Sequence, residues 1–534
     1  MAAARAWQAS VSAEGANEAT RLMSAISYLR SAMMPAVAPL STASLPPLFE
    51  ILDDGTARDL KPRAAEQLEV GRAFAGQVLH TAPTLAVSSA PGVDPRVIHH
   101  HSRRAMSQFH LRDATLTVIL GAALVLRPLP TLAWLVAFAV WTYPVKSDSW
   151  KLRALRWCAL AAAAGLVADL YVRDLAAALY WSSPLLVVIA AGAVFVTDAG
   201  IANRRIHAIL NAQDAPTGVS CDPRPGSRLE RIVAEHHGTA VAYDQSHIIG
   251  VGSPVYSAPI NIKLVTKDKL SVSRLIEPGE LLARITEALE ALRKPGNVRH
   301  GIEDLEVTGV RVGTLRDWAK EPIEQLTQSH EVIVNLPVAG RSTRAYVRAR
   351  AVLWNGQIVP SVYVGAALEG DLLRFIFRQY VLHPIGTTAQ VCRDVADSRP
   401  SGWNLLRHAA VELLLLGAGL RGAVEQLRTA PAPRHRSGAS REEPVRSLRE
   451  TYAQRTRDLH MTEDAARFLQ NVTVTVFGEA IAFLESCGVD VSEFKRQAQT
   501  VINTTIGGDV IGSNVQMGDG KIHGGQIVQG RPAA

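Results

Sequence analysis

Between Asp113 and Asp198 the chain carries four apolar stretches, Ala114–Leu126, Leu129–Val145, Trp157–Val172 and Leu175–Thr197. Such clustering is rare in soluble folds and constrains the rest of the reading. Leu175–Thr197 runs 23 residues without a charge. That length crosses a hydrocarbon core of about 30 Å. Ala114–Leu126 spans only about 20 Å as a helix. It has to borrow residues upstream of Asp113, thin the bilayer, or dip in without crossing. Arg103, Arg104 and Arg112 precede the first stretch, Lys146, Lys151, Arg153 and Arg156 fill the middle loop, and Arg204 and Arg205 follow the fourth. The positive-inside rule then expects a multi-pass protein of the cytoplasmic (inner) membrane with both termini cytoplasmic. The competing reading is a pair of buried helical hairpins in a soluble protein. Asp169 lies inside the third stretch, close to Arg173, where snorkelling or local pairing accounts for it.

Composition narrows the function classes. Of 534 residues 48% are hydrophobic, only 6% are aromatic, and the net charge is +7. That thin positive excess does not argue for nucleic acid. The four cysteines are far apart and form no CxxC pair, which excludes a disulfide scaffold and a Cys-based zinc motif. GxSxG, Walker, HExxH and protein-kinase signatures are all missing from the sequence, so no catalytic, cofactor-binding or metal-binding residue is assigned and no enzyme activity is expected. His99-His100-His101 reads as a solvated basic linker beside the membrane, since consecutive residues cannot face one point. His236, His237, Tyr243, Asp244 and His247 fall close together ahead of Gly250, Gly252 and Ser253. That group is a weak cue for a metal or nucleotide, and it supplies the candidate groups if the central region binds a ligand.

The organisation reads as a mostly helical head over 1–110, the membrane region over 111–200, and an α+β domain over 213–400. An apolar helix over 401–427, a flexible basic linker over 428–450, a helical segment over 451–501 and a tail over 502–534 follow. In the α+β domain Thr239–Tyr243 and Val255–Val265 read as strands, the second by period-two alternation of Ile260, Ile262 and Leu264. Pro278–Lys294 reads as an amphipathic helix and Trp318–Leu326 as a second one. Glu331–Val338, Arg344–Leu353, Gln357–Gly365 and Leu373–Val381 read as strands, with Asn355-Gly356 making a hairpin turn. Arg344, Tyr346, Arg348 and Arg350 alternate with Ala345, Val347, Ala349 and Ala351. The basic row is read as a solvated outer sheet face, with acidic lipid or a phosphate ligand as the other possibility. Thr462 is expected to cap a helix to about Ser486, ended by Gly488, and Ser492 a shorter one through Val501.

The last residues change character. From Asn503 to Gly530, glycines alternate with Ile or Val beside Asn or Gln, and charge nearly vanishes. Short β-arcs with stackable amides fit this pattern, and identical copies can stack in register. A non-amyloid β-cap and a flexible tail remain open.

Two resemblances follow from these residues. Gly238–Tyr243 with Gly250 and Gly252, and Ala345-Tyr346 with Trp354–Val359, are similar to segments of large actinobacterial multi-pass membrane proteins of uncharacterised function. That resemblance implies a membrane-bound protein with a cytoplasmic α+β domain, and no activity. Val515-Gln516-Met517-Gly518 resembles the core of the RIP homotypic interaction motif. The whole tail resembles bacterial amyloid signalling motifs, which implies homotypic assembly through Val515, Gln516, Met517, Gly518, Ile527, Val528, Gln529 and Gly530. The fold class expected is therefore a membrane α-helical region of two hairpins (four apolar helices), a cytoplasmic α+β domain with an antiparallel sheet, a C-terminal helical segment and a Gly-rich tail. The partners expected are the lipid bilayer and a chain bearing a similar tail, with self-association. The alternative is a membrane-anchored ligand-binding or enzymatic module with an incidental tail.

Overall fold

The computed structural model describes residues 17–30, 33, 70–80, 91–131, 184–211, 228–244, 247–266, 276–293, 302, 304–314, 318, 322, 326, 343–398, 402–407, 409–412, 447–455 and 458–506. The second apolar stretch beyond Thr131, the third, the start of the fourth, Asp169, the strand expected at Glu331–Val338 and the tail residues Val515–Gly518 and Ile527–Gly530 lie outside them. The chain divides into two units. One draws on 1–88, 92–233 and 384–455, the other on 89–91, 234–383 and 456–534.

The first unit is helical. Its elements are α1 (Glu18–Ile26), α2 (Val70–His80), α3 (Pro95–Leu126), α4 (Pro184–Leu210), α7 (Thr387–Asp397) and α8 (Leu448–Tyr452). Helix α5 (Arg228–His237) spans the sequence boundary between the units. The side chain of Asn17 caps α1 by accepting from the Thr20 N–H at 2.9 Å. Asp94 caps α3 from the Arg96 N–H at 2.8 Å, with Pro95 in the first turn, where a missing N–H costs nothing. Ser447 and Glu450 form a reciprocal capping box on α8, so the end of the stretch expected as linker is an ordered helix start.

The two long helices each have two characters. In α3 the buried side chains are Pro95, Val97, Ile98, His101, Ser102, Ala105, Met106, Phe109 and Arg112. Spacings of three and four put them on one stripe. Beyond Asp113 the stripe ends, and Val118, Val125 and Leu126 are exposed. In α4 the order is reversed. Leu185, Leu186, Val188 and Ile189 are exposed, while Asp198, Ala199, Ala202, Asn203, Ile206 and Ile209 are buried. Both helices are long and apolar enough to cross a membrane. The first apolar stretch thus does continue upstream through Asp113 into a 32-residue helix. The histidine run belongs to that helix rather than to a solvated linker: His101 is buried and lies 3.4 Å from the Tyr28 hydroxyl.

The second unit is built on a seven-stranded sheet, β1 (Ala240–Asp244), β2 (His247–Ile248), β3 (Ser253–Lys263), β4 (Leu305–Thr314), β5 (Arg344–Ala351), β6 (Val359–Glu369) and β7 (Leu372–Leu382), in the order β2-β1-β4-β5-β6-β7-β3. The sheet is mixed, not antiparallel, because β1 pairs with β4 in parallel. Alternation reveals a strand but not the direction of its neighbour. β5, β6 and β7 form a meander, and β3 closes one edge against β7. The turn between β5 and β6 is wider than a two-residue hairpin. Leu353 and Ile358 exchange both backbone bonds, and Trp354, Asn355 and Gly356 all take positive φ.

One face of the sheet carries α6 (Pro278–Leu292), α9 (Leu459–Ser486) and α10 (Ser492–Ile506). The C-terminal helices share the apolar core of the sheet. Phe477 packs against Phe377 at 4.9 Å, Phe494 at 5.7 Å and Phe375 at 5.8 Å between ring centres. Geometry of this kind adds to the area each ring buries. A buried hydrogen bond of 2.6 Å from Gln379 Nε2 to Thr473 Oγ1 ties α9 to β7. The cap of α9 is Asp458, not Thr462: its carboxylate accepts from the Met461 N–H at 2.9 Å. Gly488, at φ 79°, ends it, in the left-handed region that favours glycine. α10 continues five residues past Val501 to Ile506, so Asn503–Ile506 are helical and not part of the tail.

Candidate functional site

The opposite face of the sheet holds the polar chemistry. Antiparallel register puts Glu306 opposite Arg350 and Thr308 opposite Arg348 on β4 and β5. It puts Ser361 opposite Arg350 and Tyr363 opposite Arg348 on β6. Side chains directly opposite one another lie about 4.5–5.5 Å apart at Cβ, so these residues form one patch. Tyr380 and Arg378 extend it on β7.

The alternating arginine row predicts a solvated face, and this face is covered instead. Tyr346, Tyr363 and Tyr380 pack with Val241, Ile248, Val251, Val310, Val312 and Ile376 in a second apolar cluster. The tyrosine rings meet edge to face, at 6.4 Å from Tyr346 to Tyr363 and 5.8 Å from Tyr363 to Tyr380. Gly365 makes room for Tyr346, whose ring a Cβ there would strike. Arg348 and Arg350 are enclosed with them, at 7% and 11% side-chain exposure.

Enclosed guanidiniums need partners. Glu306 provides the charge: its carboxylate accepts from Arg348 Nη2 at 2.9 Å, Arg350 Nε at 2.6 Å and Thr308 Oγ1 at 3.1 Å. Burial acts to raise the Glu306 pKa, but the charges of Arg350 and Arg348 and the hydrogen bonds from Arg350 and Thr308 outweigh it, lowering the pKa to about 2. Glu306 itself keeps 42% of its side chain exposed, so solvent screens part of that attraction. Burial pushes the phenols of Tyr363 and Tyr380 up. The charges of Arg348 and Arg350 act against that rise at Tyr363.

A crevice opens in this patch, lined by His236, Gly238, Arg348, Arg350, Ser361 and Tyr363 among others. Its interior narrows to the size of about one water molecule. Among the described residues that line it there is no carboxylate. Ser361 is 3% exposed, and its Oγ has no hydrogen-bond partner among the described residues; the same holds for Arg348 Nε.

Of the residues singled out in the sequence, His236 lines this crevice, and Tyr243 is half-buried against the same apolar cluster. His247 lies on β2, opposite Asp244. No group of three or more potential metal ligands occurs among the described residues. Sequence reasoning does not single out Glu306, Ser361 or Tyr363. The register of the Asn355-Gly356 hairpin is the signal that points to the last two.

The helical unit has its own charge cluster, buried at Arg30 and Asp198 and part-exposed at Arg72 and Asp113. Arg30 donates to both oxygens of Asp198, at 2.6 and 3.0 Å. Gln108 Nε2 donates to Asp198 Oδ1 at 2.8 Å, and Arg72 pairs with Asp113 at 2.6 Å. The Arg30 guanidinium stacks 3.9 Å from the centre of the Phe109 ring. This cluster sits where the buried halves of α3 and α4 give way to their exposed apolar halves.

No curated protein and no solved structure matches the chain. Residues 259–521, just under half of the chain, are similar to the AbeC-like domain, for which a family model matches there.

Proposed function

We propose that the protein is a membrane-anchored interaction protein: hairpins that include α3 and α4 hold it in a bilayer, and its C-terminal tail joins it to other chains by homotypic, amyloid-like stacking. The observation that carries the reading is the split character of the two long helices. Val118 is 70% and Leu186 69% exposed on helix halves that carry no charge, and a hydrocarbon surround removes the cost of that exposure at about 25 cal/mol per Å². The charge cluster of Arg30, Asp198, Arg72 and Asp113 falls at the depth where headgroups would lie. Positive-inside placement makes the N-terminal head and the AbeC-like domain cytoplasmic.

Support for the tail comes from the family match, which runs past the end of α10 and through Val515-Gln516-Met517-Gly518. That stretch lies within the span similar to the domain family. α10, which precedes the tail in the sequence, packs Phe494, Ala498 and Val501 into the core of the sheet. Stacked copies of Asn, Gln and β-branched residues give amide ladders and dry seams.

The test is co-assembly of two differently tagged full-length chains. Co-purification is expected for the intact chain and is lost when residues 507–534 are deleted, or when Val515 and Gln516 are both replaced by Asp. Unchanged co-purification of the deleted chain would overturn the role of the tail.

A further inference from the structure

We propose that the exposed faces of α3 and α4 select anionic phospholipid, with acyl chains along their apolar halves and the headgroup phosphate drawn to Arg103, Arg104 and Arg204. The inference rests on the membrane residence proposed above and adds the class of lipid. On α3 the exposed side chains of Arg104, Leu111, Val118 and Val125 recur every seven residues, a spacing that drifts only about 20° per step and keeps them on one face. On α4 the exposed residues Ile189, Ala193, Thr197, Ile201 and Arg204 follow at spacings of three and four, which also mark one face. Each helix therefore presents a continuous outer stripe, apolar at one end and cationic at the other.

The two cationic ends stand at one height. Gln108 Nε2 meets Asp198 Oδ1 at 2.8 Å, and the Arg112 guanidinium lies 5.7 Å from the centre of the Phe195 ring. Four residues forward on α3 correspond to three residues back on α4, so the two helices run antiparallel. Arg103 and Arg104 are then level with residues 202–203, within one turn of Arg204.

The charge at that level is unbalanced. The two helices carry two carboxylates, Asp113 and Asp198. Both are already held: Asp198 by Arg30 and Arg112, Asp113 by Arg72 and Arg112. Arg103, Arg104 and Arg204 are exposed, and none of them forms an ion pair among the described residues. Helix α7 packs on α4 and brings the exposed Asp394 and Asp397. Asp394 accepts from Gln390 at 2.8 Å, and neither acid pairs with Arg204 among the described residues.

Chemistry sets the lipid class. A zwitterionic headgroup carries an ammonium that offsets its own phosphate. A phosphatidylglycerol-type headgroup keeps a net negative charge, and the planar guanidinium matches phosphate oxygens. Seven residues of helix separate Arg104 from Leu111, about 10 Å. That is close to the Debye length of about 8 Å at physiological salt, so a charged headgroup layer is felt at the arginines. Each such cation near the surface favours the anionic lipid about fivefold.

The full chain is purified in mild detergent with an excess of equimolar phosphatidylglycerol and phosphatidylcholine, and the lipids it retains are counted by mass spectrometry. The parent should retain phosphatidylglycerol over phosphatidylcholine by at least about tenfold. Replacing Arg103, Arg104 and Arg204 together by Gln should bring the ratio close to one while leaving the total lipid retained unchanged. Replacing the same three by Lys should keep most of the preference, which separates the charge from loss of the side chains. Salt of about 1 M should weaken the preference of the parent. Lipid retained by the parent in the bulk ratio would overturn the proposal and leave the membrane anchor standing, as would a preference unchanged in the Gln variant. A parent that retains no lipid and stays dispersed without detergent would overturn the anchor and this proposal together.

Discussion

Two buried charge clusters in this protein are built on different plans. In the helical unit Asp198 is gripped by two nitrogens of the Arg30 fork and by Gln108, with Arg112 Nη1 at 3.7 Å, and all three ionic groups are almost fully enclosed. In the sheet unit Glu306 is half exposed and serves two enclosed arginines at once. The first cluster is closed to solvent: Arg30 and Arg112 both pair with the enclosed Asp198, at 2.6 and 3.7 Å, and stacking on Phe109 fills the Arg30 guanidinium face. The second is open to solvent through Glu306, which keeps 42% of its side chain exposed. A closed buried cluster is worth much to the fold because breaking it strands a charge, whereas one open to solvent is screened.

The largest expected effect is on the closed cluster. Asp198→Ala leaves Arg30 buried without its partner and should destabilise the helical unit by about 3–5 kcal/mol, read as a lower denaturation midpoint. If Asp198→Ala is near neutral, the pair is not structural and the contrast between the clusters fails.

Arginine placed on the exposed apolar halves comes next. Val118→Arg and Leu186→Arg should each disfavour insertion by about 2.5–3.5 kcal/mol, measured as the fraction of chain recovered in membranes. Unchanged recovery of both variants would mean that these halves face water.

The open cluster should respond more weakly. Glu306→Gln should cost about 1 kcal/mol, the half-exposed carboxylate being screened by solvent. The pH dependence has a definite sign. The Glu306 pKa is depressed from 4.5 to about 2 in the fold, so its contribution is fully present above about pH 4.5 and is lost as pH falls towards 2. Unfolding experiments across that window should show a shallower loss of stability in Glu306→Gln than in the parent. The smallest effect is local to the turn that sets the register of the open cluster. Asn355 holds φ at 51° there, a conformation that asparagine tolerates better than alanine, so Asn355→Ala should lower stability by about 1 kcal/mol in a denaturant titration.

Much of the sheet is legible in the sequence, for reasons particular residues make plain. Period-two runs place β3, β5, β6 and β7, and the Asn355-Gly356 turn sets the register that brings Ser361 opposite Arg350. β4 is not legible. Leu305-Glu306-Val307-Thr308 and Val310-Arg311-Val312 each alternate, but Gly309 shifts the phase between two runs too short to stand alone, and Glu306 stays hidden with them. The arginine row is legible as a face but not as a buried one, because what covers it is the distant segment around Ile248 and Val251. The helical boundary is legible at Asp113 and Asp198, yet the pairing of Asp198 with Arg30, 168 positions earlier, has no local signature.

Residence of α3 and α4 in a bilayer is the central claim, and alkaline carbonate extraction tests it most directly. Membranes from cells expressing the full chain, washed with carbonate, should retain the protein in the pellet and release it only with detergent. Release of the intact chain into the carbonate supernatant would contradict a membrane-spanning anchor.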